Sequence, residues 1–241
     1  MNIGIIGQGA IGRYVHEQLL DRGHVLRALV LRPERLRNNE TEHDGTIRVA
    51  SIADLPDDID HMIDCAGHSA LKSYGPDILR RGFDLTTVSI GALADAELYR
   101  NLAQAAIDGH AKLHLASGAI GALDCLRAAR VGGLHSGTYV GRKPPQSWRG
   151  SPAETRLDLD GLGDVAEIHF EGCARDAATE YPKNANVAAA VALAGLGFDD
   201  TNVKLIADPN VSDNIHEVHA TGGFGQFSFE ISGRSLPDNP R

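Results

Sequence analysis

Cysteine is scarce: Cys65, Cys125 and Cys173 are the three in 241 residues, an odd number, far apart, with no Cys-x-x-Cys pair. That excludes a disulfide framework and a zinc knuckle, and leaves buried free thiols as the simple reading. Positive charge is in deficit as well. Lys and Arg number 23 against 32 Asp and Glu, a formal net charge of -9. No overall basic field gathers phosphate backbones, so nucleic acid is not an expected partner. Long apolar runs are missing: the longest, Val187 to Phe198, has twelve residues, against the roughly 20 that span a bilayer. The apolar start MNIGIIGQGAIG lacks a basic leader and does not read as a signal peptide. A soluble, cytoplasmic chain with no membrane partner is expected. The eleven histidines show no His-Glu-x-x-His or comparable spacing, so no metal is expected either.

What is present is globular: 42% hydrophobic and 23% charged residues, at a length suited to two modest domains. Ile3 to Ile6 reads as a buried strand, Ile11 to Asp21 as an amphipathic helix and Val25 to Leu31 as a second strand, which together make a βαβ unit. Apolar segments continue at Ile47 to Ala50, His61 to Cys65, Leu85 to Ile90 and Lys112 to Ala116. Helical stretches lie around Ser69 to Arg81 and Asp95 to Asp108. This alternation predicts an α/β fold with an N-terminal doubly wound parallel sheet of the Rossmann kind over residues 1–116.

The texture changes after about Ala116. Ile120 to Val131 reads as a helix, and Gly141 to Pro152, with three prolines, as a loop. Ala166, Ile168 and Phe170 alternate with Glu167, His169 and Glu171 as in a half-buried strand. Val203 to Ala207 is a further strand, and Glu217 to Thr221 and Gln226 to Ile231 flank Gly222-Gly223 as a hairpin. A second α+β domain with a mixed or antiparallel sheet is expected over 117–241, for substrate binding, catalysis and dimerisation. Leu236 to Arg241 is polar and ends without a helix, so a chain short of its natural C-terminus is expected.

Gly7-Gln8-Gly9-Ala10-Ile11-Gly12 fits G-x-G-x-x-G directly after the first strand and at the opening of the first helix. Gly7 permits the tight turn, Gly9 lets a pyrophosphate approach, and Gly12 brings helix and strand together. The helix end, through Ala10 and Ile11, offers amides to the anion. NAD or NADP is the cofactor this predicts. No acid ends the second strand, which runs into Arg32-Pro33-Glu34-Arg35. Arg32, with Arg35, suits a 2′-phosphate, and a merely solvated arginine fits the pattern as well. Cys65-Ala66-Gly67-His68 ends a later strand, where Ala66 and Gly67 are small enough to line the nicotinamide ribose; packing alone would also account for them.

Ser117-Gly118-Ala119-Ile120-Gly121-Ala122 stands between a strand and a helix and offers small residues and amides to a carboxylate or to the cofactor carboxamide. Pro182-Lys183-Asn184-Ala185-Asn186 precedes an alanine-rich helix and gathers a lysine and two amides at its positive end, as an anionic substrate requires; simple capping by the asparagines is the other reading. His216 and His219, three apart at the entry to a strand, face opposite sides, so at most one looks into a given cleft. Residue type leaves a structural role and an acid/base role both open for His216.

Read together, SGAIGALD, ARDAATEYPKNANVAAA, LIADP, NIHEV and GGFG, in this order behind Gly7 to Gly12, resemble the bacterial L-aspartate dehydrogenase family across nearly the whole chain. The resemblance implies a cytoplasmic homodimer that uses NAD or NADP to deaminate L-aspartate oxidatively, giving iminoaspartate or oxaloacetate and ammonia, with a role in supplying nicotinamide cofactor biosynthesis. It implies that His216 is the catalytic residue and that Ala119 and Asn186 contact the cofactor. Lys183 and Asn184, with Ser117 and Gly118, are assigned to the substrate carboxylates from the helix-end reasoning. A reductase of another small carboxylic acid, resembling dihydrodipicolinate reductase or homoserine dehydrogenase, and a non-catalytic dinucleotide sensor are the rival readings.

Overall fold

A computed structural model describes residues 1–36 and 45–234. The chain divides into two compact units, Met1–Ala116 and Ser117–Arg241. Among the described residues no helix is long and apolar enough to cross a membrane. The segment Leu236 to Arg241, expected to end the chain without a helix, lies outside the described residues.

In the first unit β1 (Asn2–Ile6), α1 (Ala10–Asp21), β2 (Val25–Val30), β3 (Ile47–Val49), β4 (His61–Asp64), α2 (His68–Arg80), β5 (Asp84–Thr87), α3 (Ala96–Asp108) and β6 (Leu113–Leu115) follow in order. The strands form one six-stranded sheet in the order β3-β2-β1-β4-β5-β6, and every pairing is parallel. This is the doubly wound arrangement, with its topological switch between β1 and β4. Ile3, Ile5, Leu26, Leu29 and Leu31 form a core cluster against which Val15 and Leu19 of α1 pack, as the 3.6-residue period of that helix requires. Asp95 starts α3 by accepting the Glu97 and Leu98 amides.

The second unit runs α4 (Leu123–Val131), β7 (Leu134–Lys143), α5 (Ala153–Arg156), β8 (Glu167–Cys173), α6 (Ala174–Glu180), α7 (Asn186–Ala194), β9 (Thr201–Ala207), β10 (Asn214–Gly222) and β11 (Gly225–Gly233). Its sheet has the order β11-β10-β7-β9-β8. The β7–β9 pair is parallel and the others antiparallel, so the sheet is mixed. Alanines dominate α7, and Val187 to Ala192 together with Ala194 are buried; short side chains let a helix lie close to the strands it covers.

Three expectations for this unit are corrected. Gly141 to Lys143, read as loop, complete β7, the central strand; the prolines begin only at Pro144, after the last paired residue. The helix expected from Ile120 begins at Leu123, because the chain first turns through Gly118 (φ +66°) and the left-handed Ala122 (φ +57°). Gly121 there lies so close to β11 that a Cβ on it would stand 3.0 Å from Phe229 Cζ. The simple alternation in β8 also fails. A register shift between Ile168 and Phe170 turns His169 inward and leaves Ile168 exposed.

Candidate active site

The first strand of the first unit ends at Gly7, whose amide donates to Val30 O at 3.0 Å, while the Cys65 amide donates to Ile6 O at 3.0 Å. The ends of β1, β2 and β4 are thereby tied together at the switch point. Gly7 holds φ +90°, and a Cβ there would lie 2.7 Å from Ala66 Cβ. A Cβ on Gly12 would lie 2.2 Å from Gly7 O, whereas one on Gly9 would meet nothing within 4 Å. Two of the three glycines are therefore demanded by close approach, and Gly9 opens onto free space. The α1 end carries no side-chain cap and no acid in its first turn, which leaves its amide dipoles facing that space.

A cavity of about 400 Å³ lies here. Gly7, Gly9, Arg32 and Ala66 line it, as do Arg35, Ser69, Ser73 and Tyr74, and no carboxylate does so among the described residues. Ala10, Ile11 and Gly12 make the first turn of α1. Gly67 starts α2 with φ +96°. A glycine cradle, an uncapped helix end and two arginines fit a dinucleotide bearing phosphates. Ser69 and Ser73 were missed in the sequence; their i, i+4 spacing on α2 was the available signal. Asp64 was missed as well. Fully buried at the end of β4, it accepts from the Ala66 amide at 2.9 Å, Thr87 Oγ1 at 2.7 Å and Ser89 Oγ at 2.6 Å. Desolvation by burial raises its pKa, against the pull of these hydrogen bonds. It fixes the turn that presents Ala66.

The second unit contains the remaining expected residues. His216, on β10, is 4% exposed, while His219 is exposed. Its Nδ1 stands 2.7 Å from Tyr139 Oη. Desolvation, and then the nearby charge of Lys143, lower its pKa to about 4, so the imidazole is neutral at physiological pH. Burial pushes the Tyr139 phenol up, so it stays protonated. Ser117 and Gly118 do not reach a helix N-terminus, because α4 starts five residues after Gly118. Their turn instead lies by α7: a Cβ on Gly118 would be 3.9 Å from Val187 Cγ2. Asn186 is the first residue of α7, whose start has no side-chain cap, so the asparagines do not act as caps there. Asn184 is buried with an amide nitrogen lacking a hydrogen-bond partner, and Lys183 is exposed. Ala119 belongs to the Gly118 turn. Among the described residues no group of three or more His, Cys, Asp or Glu is placed to hold a metal ion.

The sheet order, the glycine turn and the arginine-lined cavity beside it define the first unit as an NAD(P)-binding domain of an oxidoreductase. Residues 7–116 match the family model for the homoserine dehydrogenase NAD binding domain, and residues 124–241 match the one for the aspartate dehydrogenase C-terminal region. Over its full length the chain is 50% identical to an L-aspartate dehydrogenase of Ruegeria pomeroyi, covering 86% of that protein. It is 44% identical over its full length to one of Pseudomonas aeruginosa, covering 91%. The crystal structure of aspartate dehydrogenase from Thermotoga maritima is similar with a TM-score of 0.76 and 28% identity, over 96% of this chain and 88% of that one. The chain belongs to the L-aspartate dehydrogenase family.

Proposed function

We propose that the protein deaminates L-aspartate oxidatively with NAD or NADP, giving iminoaspartate and then oxaloacetate and ammonia, and runs the reverse reductive amination. The observation that carries this is full-length identity of 44–50% to L-aspartate dehydrogenases. When bound, the nicotinamide supplies the acceptor for the Cα hydride. Gly7, Gly9, Ala10, Ile11 and Gly12 cradle the pyrophosphate, Arg32 takes a 2′-phosphate, and Ala66, Gly67, Ala119 and Asn186 contact the rest of the dinucleotide. Ser117, Gly118, Lys183 and Asn184 receive the substrate carboxylates; the unpartnered Asn184 amide supports its place in this set.

His216 acts as the general base. Its neutrality leaves a ring nitrogen able to take a proton, and with Nδ1 occupied by Tyr139 the reacting nitrogen is Nε2. This reading carries with it a cytoplasmic homodimer. Nothing in the fold or the family favours a different carboxylic acid substrate or a dinucleotide sensor. The test is a spectrophotometric screen of L-amino acids with NAD and with NADP, followed by oxaloacetate plus ammonia in reverse. Aspartate-dependent formation of reduced nicotinamide is expected; tight coenzyme binding with no such absorbance change would overturn the assignment.

A further inference from the structure

Lys143 is the one buried lysine among the described residues, 3% exposed. It ends β7, two positions after Gly141, whose register partner on β10 is His216. Strand alternation puts Tyr139, Gly141 and Lys143 on one face, and the Tyr139 hydroxyl bonded to His216 shows which face that is. The Lys143 ammonium stands 5.1 Å from the centroid of the Trp148 ring. Its charge reaches both His216 and the second buried imidazole, His169.

An ammonium withdrawn from water is retained where a π face or an anion compensates it. Trp148 is one such face, and the same ring leads to a second polar group. Tyr181 lies edge-on to Trp148 at 6.2 Å, and its backbone carbonyl accepts the backbone N–H of Asn184. The Asn184 side chain is 7% exposed, and its amide nitrogen has no partner. A buried cation and the neutral imidazole of His216 thus share one face of the sheet, and the buried, unused side-chain amide of Asn184 lies in the same unit. That donor set is complementary to a carboxylate whose neighbouring amine must lose a proton.

We propose that Lys143, in addition to Lys183, anchors the substrate, holding the carboxylate that lies beside His216. The proposal rests on the aspartate reading for the identity of the substrate, and succinate, a dicarboxylate without the amine, tests the socket separately. With the reduced coenzyme bound, Lys143→Met is expected to raise the inhibition constant of succinate and the KM for L-aspartate by about 10- to 100-fold, the loss of one charge-assisted hydrogen bond. Lys143→Arg is expected to recover part of the loss. Coenzyme affinity is expected to stay unchanged in both variants, which separates an anchor from general damage.

The parent chain gives a test that does not depend on the variants being stable to substitution by methionine. With lysine labelled at Cε and Nζ, and the signal assigned through Lys143→Arg, titration with succinate should shift the Lys143 resonance while succinamide should not. The proposal is overturned if folded Lys143→Met binds succinate as the parent does, if the Lys143 resonance stays still at saturation, or if succinate does not bind the parent. Lys143-dependent succinate binding in a chain that does not turn over aspartate would uphold the socket and overturn the substrate reading alone.

Discussion

Gly9 and Gly12 sit three residues apart in one motif, yet the structure gives them different physical duties, and alanine at each should separate those duties. A Cβ on Gly12 would lie 2.2 Å from the Gly7 carbonyl oxygen and 3.1 Å from its carbon. Both are backbone atoms of the turn that joins β1 to α1, so no side chain can swing aside. Restoring ordinary contact means moving helix and turn apart by about 1 Å, at a cost of about 2–3 kcal/mol. For a chain of this length that lowers Tm by about 4–12 °C. At Gly9 the backbone is extended, with φ -77° and ψ -171°, and a Cβ would meet nothing within 4 Å. The smaller entropy of the unfolded alanine chain, about 0.4–1 kcal/mol, offsets glycine's advantage as a cap, so Tm should move by less than about 4 °C. The Gly9 methyl instead fills the space at the uncapped helix end, and coenzyme Kd should rise by at least about tenfold, or about 1.4 kcal/mol. Calorimetric melting without ligand and titration calorimetry with NADPH read the two effects independently. Gly9→Ala binding like the parent, or Gly12→Ala melting like the parent, would refute the division of labour.

His216→Ala should lower turnover by about a hundred- to ten-thousandfold with coenzyme Kd unchanged, and equal turnover in parent and variant would remove the base assignment. Tyr139→Phe strips the Nδ1 partner from a buried ring; urea unfolding should show a loss of about 1–3 kcal/mol together with slower turnover, and no change in either would show that the 2.7 Å contact is idle. Arg32→Asp should move coenzyme preference from NADP toward NAD, and an unchanged ratio of the two dissociation constants would show that the arginine is only solvated. His216 and His169 are both held near pKa 4 when folded but titrate near 6.5 when unfolded, so the unfolded chain binds more protons between those values. Stability should therefore fall as pH drops from about 6.5 to about 4, by up to about 3 kcal/mol per imidazole, with the raised Asp64 acting in the opposite sense. Urea midpoints that stay flat across that window would contradict the burial of both rings.

The first unit was legible because its signals are local. Gly7 to Gly12 directly follows a run of apolar residues, and α1, α2 and α3, each of clear period, separate β1 from β2, β4 from β5 and β5 from β6. The second unit was less so. Its central strand, β7, is made of Leu134-His135-Ser136-Gly137-Thr138-Tyr139-Val140-Gly141-Arg142-Lys143, whose glycines and polar residues match no simple alternation. It is a strand because β10 and β9 pair with it on either side, and those partners lie tens of residues away. Missing it meant missing Tyr139 and Lys143, although both share a face with the histidine that the motif NIHEV had made conspicuous. His169 was hidden for a related reason: a bulge reverses the facing that period-two reading assigns, and no residue in Ile168-His169-Phe170 announces it. The substrate loop was legible as a motif but not as geometry, since whether Asn184 caps a helix or keeps its amide unused depends on where α7 begins.

The Tyr139–His216 pair bears on why one site can serve both directions of the proposed reaction. Oxidation requires the substrate amine to lose a proton, so Nε2 must present a lone pair and the ring proton must sit on Nδ1, donated to the phenol oxygen. Reduction runs this step backwards: the imidazolium gives its Nε2 proton to the forming amine while Nδ1–H stays donated to the phenol oxygen, whereas the resting neutral ring can instead carry its proton on Nε2 and accept from the phenol O–H. A carboxylate beside Nδ1 would favour only the first arrangement and would raise the imidazole pKa, and a backbone amide would enforce only the second. A hydroxyl is both donor and acceptor, and it follows either tautomer by rotation about one bond. Because Tyr139 is buried and its phenol stays protonated, it does this without adding charge. The resting ring is therefore held neutral by burial and by the nearby ammonium, while the phenol can accept from Nδ1–H whenever Nε2 takes up or gives back the amine proton.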